Sequence, residues 1–121
     1  MTTEPDAQAN ERAMYSVFEH DPDLADIVTL FVQEMPERIE ELRAAADAGD
    51  VDAAVRLAHQ LKGAAGGYGF EPLGEVAARV EHALQQAAAD GSPDAELVRG
   101  LARPLIEACG RVRLAGVRTA A

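Results

Sequence analysis

The chain has 121 residues, 48% of them hydrophobic and 4% aromatic, with 11 basic side chains against 21 acidic ones and a formal net charge of −10. That length fits one domain large enough to bury a real core. The charge argues against nucleic acid as a partner, because such binding draws its affinity largely from phosphate neutralisation and no basic stripe with interleaved aromatics is present.

No apolar run approaches the length of a membrane span, and the opening "MTTEPDAQAN" lacks the charged-then-apolar layout of a signal peptide. The expected location is the cytoplasm, with no membrane association. A single cysteine, Cys109, cannot form an internal disulfide and reads as a small core residue of a helix.

No stretch alternates apolar and polar residues as a half-buried strand would, so the expected class is all-α. Residues 1–10 read as a flexible N-terminus. The stretch "ERAMYSVFEH" is expected to form a short helix or arm that packs Met14, Val17 and Phe18 on the domain. A first long helix starts near "DPDL", with Asp21 or Asp23 as its cap. Its apolar stripe runs Leu24, Ile27, Val28, Phe31, Met35, Ile39, Leu42 and Ala46. Pro36 falls inside the stripe and predicts a kink rather than a stop, since the phase is kept across it.

"AGDVD" supplies a glycine stop and a new cap, Asp50, for a second helix over 51–67. Its core stripe is Val51, Ala54, Leu57, Ala58, Leu61 and Ala65. "GFEPLGE" breaks it, with Pro72 early in a third helix that buries Leu73, Val76, Ala77, Val80, Ala83, Leu84 and Ala87. "DGSP" ends that helix, and Ser92 as cap with Pro93 behind it opens a fourth. The fourth helix buries Leu97, Leu101, Leu105, Ala108 or Cys109, and Val112, with Pro104 as a further kink. Short connections favour an antiparallel up-down-up-down four-helix bundle over 11–114, with 115–121 as a frayed tail.

The second helix holds the chemistry. At about 100° per residue, His59 falls away from the core stripe, beside Val55, Arg56, Lys62, Gly63 and Gly66. Its imidazole should be exposed. Each helix-interior glycine costs roughly 0.5–1 kcal/mol relative to alanine, so Gly63 and Gly66 need a return. They strip side chains from the surface beside His59 and let another protein approach the backbone closely. Lys62 is the only lysine among the 11 basic residues and brings positive charge to the same space. A neutral imidazole is a competent nucleophile and an ammonium group stabilises phosphoryl oxygens. Phosphoryl transfer needs little more than position and electrostatics, so His59 reads as a phosphoryl acceptor.

"LAHQLKGAAGGYGF" at 57–70, followed by "VEHAL" at 80–84, resembles the signature of histidine-containing phosphotransfer (HPt) domains, and the likeness covers nearly all of residues 22–112. The resemblance implies a four-helix bundle that carries phosphate on the motif histidine between aspartates of receiver domains in multistep two-component signalling. On that match His59 is the phosphoacceptor and Lys62 assists the phosphoryl group. Gly63 is the opening for the partner, and Gln60 gives at most a supporting polar contact. The implied partners are response-regulator receivers, including that of a hybrid histidine kinase. Mg²⁺ is expected on the receiver and no cofactor on this chain. With no Walker-type glycine-lysine loop, the expected activity is that of a phosphocarrier and not of an enzyme with its own kinase or ATP site.

The alternative is a helical docking module that binds receivers or other signalling partners without phosphotransfer. A hydrolase lacks support, because no acid lies at a helical neighbour position of His59. His20 and His82 show no spacing that would hold a metal, and Glu81 reads as serving the bundle or keeping its surface polar. The acids crowd the first half of the chain, as a solvated face or one that selects among receivers. An exposed site that must meet several partners favours a monomer.

Overall fold

The computed structural model describes residues 13–114. The expected flexible N-terminus at 1–10 and frayed tail at 115–121 lie outside those residues. Among the described residues there are five α-helices: α1 (Ala25–Gln33), α2 (Met35–Asp47), α3 (Val51–Gly67), α4 (Glu71–Ala89) and α5 (Ala95–Cys109). No strand is formed there, and the single β-bridge joins Met14 to Val112.

Pro36 does more than kink the first long helix. It has no N–H to return to the Val32 carbonyl, and the helix stops at Gln33 and restarts at Met35. The interruption is one residue, Glu34, which keeps helical torsions (φ −84°, ψ −7°). The stripe therefore holds its phase, and Val28, Phe31, Met35, Leu42 and Ala46 are all buried. Ile27 corrects that stripe: it is 42% exposed, because the short α1 turns only a narrow face inward. The helix starts later than expected, with Leu24 at its cap position and no side-chain cap bond. Asp21 instead shapes the preceding turn, its carboxylate accepting from the Asp23 N–H at 2.8 Å.

The turn into α3 is as its residues dictate. Asp50 accepts from the Ala53 N–H at 3.1 Å, and Gly49 takes φ +68°, a torsion that costs glycine little. At the other junction the cap is Asp94, accepting from the Leu97 N–H at 2.9 Å, in place of Ser92. Pro93 precedes the helix instead of opening it. α5 continues through Pro104. Val98, Ala102, Leu105, Ala108, Cys109 and Val112 are buried, and Leu97, expected in the core, is 47% exposed. The inward face is set one residue later than the leucine spacing suggests.

α3 packs chiefly on α4, α4 on α5, and α5 on α2, with α2 also touching α3. Phe31, Tyr68 and Phe70 form an aromatic group at one end, with centroids 5.1 and 5.5 Å from Phe31. Residues 13–20 are not helical. They strap this end: Met14 N–H donates to the Arg111 carbonyl at 2.8 Å, Arg113 N–H to the Met14 carbonyl at 2.9 Å, and Val17 N–H to the Gly69 carbonyl at 3.1 Å. The buried Ser16 hydroxyl donates to the Tyr68 carbonyl and accepts from the Phe18 N–H. Met14 is buried and Phe18 half-buried as expected, but Val17 is 80% exposed.

Candidate functional site

The seam between α3 and α4 is lined by small residues. Ala58 and Ala65 from α3 and Ala77 from α4 are fully buried. A Cβ added to Gly74 would lie 3.6 Å from the Lys62 carbonyl and 3.7 Å from the Ala65 Cβ. The two helices thus approach closely, and a side chain on α4 two turns beyond Gly74 can reach across to α3. Glu81 does so.

Its carboxylate joins two side chains of α3. Oε2 accepts from the His59 Nδ1–H at 2.9 Å, and Oε1 accepts from the Lys62 ammonium at 3.1 Å. The Glu81 side chain is only 10% exposed, whereas His59 is 65% exposed. Burial on its own would raise the Glu81 carboxyl. Hydrogen bonds and charge from Lys62 and His59 outweigh it and hold the group below its ordinary value. An ionised carboxylate can only accept, so the proton of the neutral imidazole sits on Nδ1. Nε2 then carries the lone pair, on the exposed ring.

Around this group the surface is bare. A Cβ added at Gly63, Gly66 or Gly67 would meet nothing within 4 Å. Arg56 and Gln60 are exposed and take no part in the hydrogen-bonded group, and Val55 is half-buried. The structure thus joins His59 and Lys62 through a third residue and leaves the other expected site residues as surface around them.

Glu81 is the contact of His59 that the sequence did not reveal. A search for acids three and four residues from His59 on its own helix finds none, yet an acid on the next helix touches the ring. Two sequence signals pointed to it: Glu81 directly follows the core residue Val80 in an apolar row, and it lies in the "VEHAL" stretch that carries part of the family resemblance. Among the described residues, no three or more His, Cys, Asp or Glu side chains come together as a metal site. No helix among them is long and apolar enough to cross a membrane.

The described residues form an all-helical fold whose exposed histidine is held by a carboxylate on a glycine-bare surface. The family model described as Hpt domain matches residues 26–113, and the chain belongs to that family. No match was found among curated proteins or solved structures. Hpt domains carry out histidine phosphotransfer in phosphorelays, interact there with receiver domains, and are phosphocarriers rather than kinases.

Proposed function

We propose that this chain is a phosphocarrier whose phosphoacceptor is Nε2 of His59, taking a phosphoryl group from one receiver aspartate and passing it to another. The observation that carries the reading is the Nδ1–H hydrogen bond to Glu81, which leaves the Nε2 lone pair on an exposed ring beside bare helix surface. Attack by Nε2 forms the N–P bond as the P–O bond to the receiver's aspartate breaks, and the electron pair leaves with the carboxylate. The Nδ1 proton stays in place. The positive charge gained by the ring then lies against the Glu81 carboxylate, and the reverse steps deliver the group onward. Lys62 has three N–H donors; Glu81 takes one, and another is free to meet a phosphoryl oxygen.

Val55, Arg56, Gln60, Gly63 and Gly66 form the docking surface in this reading. The receiver supplies Mg²⁺, and this chain binds no cofactor. The four longer helices α2–α5 act as an antiparallel up-down-up-down bundle with residues 13–20 as its arm, a topology supported by their short connections and cyclic packing. The setting is the cytoplasm, where receiver domains are phosphorylated.

The test is transfer of labelled phosphate from a panel of phosphorylated receivers, with His59→Gln beside the wild type. Labelling of the wild type alone, lost in acid and stable in base as a phosphoramidate requires, is the expected result. A wild type that binds receivers and takes no label would instead be a docking module, and label that resists acid would exclude His59.

A further inference from the structure

The seam between α4 and α5 carries a second bare surface that phosphotransfer does not use. Gly100 lies inside α5, where glycine is unfavourable relative to alanine. A Cβ there would meet nothing within 4 Å, so no packing inside the chain accounts for its small size. Pro104 supplies no N–H to the Gly100 carbonyl, four residues earlier. Leu97, one turn before Gly100, is 47% exposed.

Two concavities meet at Gly100 and Leu101. One, of about 360 Å³, extends toward the N-terminal end of α5 and is flanked by Asp94 and Glu96. The other, of about 220 Å³, extends toward Pro104 and is flanked by Arg79 of α4. The surface is therefore apolar at its centre, acidic on one side and basic on the other.

We infer that this face binds a second copy of the chain, with α5 crossing its twofold mate in antiparallel fashion at Gly100. A twofold contact pairs each surface with itself. Residues four before the crossing point then meet residues four after it, which sets Glu96 of one copy against the region of Pro104 and Arg79 of the partner subunit. The acidic side of each copy falls on the basic side of the other, at both ends of the contact. A parallel crossing would set acid on acid. The bare Gly100 lets the two helices approach, and Leu97 of each copy packs beside the glycine of the other.

Sequence alone favours a monomer because the histidine has to meet several partners. This contact leaves that histidine free, since α3 takes no part in the α4–α5 face. The inference is also independent of the phosphotransfer reading, and His59→Gln should associate as the wild type does.

Sedimentation equilibrium or light scattering of the full chain over the micromolar range tests it. The wild type should move from monomer to dimer with concentration. Gly100→Arg places a long charged side chain in open space, so it should fold and remain monomeric. Arg79→Glu or Glu96→Arg alone should weaken association by about tenfold, and the two together should restore most of it, as complementary charges require. A wild type that is monomeric throughout overturns the inference and leaves the groove to a different protein. So does a Gly100→Arg chain that dimerises normally, or a double charge reversal no better than either single one.

Discussion

Glu81 follows His59 by 22 residues and sits on the next helix, yet its Oε2 lies 2.9 Å from the imidazole Nδ1. The same carboxylate holds the Lys62 ammonium through its other oxygen at 3.1 Å. One buried acid thus fixes the ring's protonation pattern and anchors the nearby cation.

Glu81→Ala should therefore slow phosphotransfer without unfolding the domain. Removing a group that orients a metal-ligating histidine costs roughly 10–100-fold, and a loss of that order in transfer rate is expected. Nitrogen NMR of the His59 ring should show the Nδ1–H tautomer losing its dominance. A rate change with unchanged tautomers would mean that Glu81 acts only through Lys62.

The acid dependence of this bridge has a definite sign. Burial opposes ionisation of Glu81, but Lys62 and His59 together hold its carboxyl below the ordinary value of 4.5. A lowered carboxyl contributes stability that is complete above its unfolded value and is lost as pH falls through the folded one. Melting of wild type and Glu81→Gln should thus differ most at mildly acid to neutral pH and converge well below 4.5. In Lys62→Ala the convergence should begin at higher pH.

Gly63→Ala separates folding from docking. The added methyl meets open space, so the helix should gain about 0.5–1 kcal/mol. Receiver binding, measured by calorimetry or by transfer rate at limiting receiver, should weaken. A more stable variant with undiminished binding would show that the partner does not approach the backbone at Gly63.

Gly69→Ala should do the opposite. Gly69 takes φ +87°, and a Cβ there would lie 2.6 Å from the Ser16 hydroxyl oxygen and 2.8 Å from a Phe18 ring carbon. Backbone strain and overpacking combine, for an expected loss of about 1–3 kcal/mol. Denaturant unfolding measures it, with His59 chemistry left intact in the folded fraction.

Burial pushes the Cys109 thiol up to about 12, against a smaller opposing influence from Arg38. The reactive thiolate is then scarce at neutral pH. Native protein should resist a disulfide reagent, and one thiol per chain should react once denaturant is added.

Much of this molecule can be read from its residues, for identifiable reasons. The bounds of α3 follow from Asp50 and Gly49 at one end and the glycines at the other, where local chemistry acts alone. The start of α5 does not, because Ser92 and Pro93 resemble a cap and first turn while Asp94 binds the Leu97 N–H. Ile27 and Leu97 show a second limit: spacing fixes the phase of an apolar stripe, but the neighbouring helix decides which edge of it is covered. The exposed position of His59 was legible from its own helix. Glu81 was not, because its place depends on how α4 slides along α3, which Gly74 and the facing alanines set only on packing.

The pairing of Met14 with Arg111 and Arg113 joins the two ends of the described chain, so it closes nearly the whole domain into a single loop. Contacts within and between successive helices close far shorter ones. Loop-closure entropy places the end-to-end pairing late in assembly and makes it cheap to lose. Opening it releases Met14 alone, since Ser16 and Val17 stay bonded to Tyr68 and Gly69, and it leaves the α3–α4 seam closed, so the histidine keeps its setting.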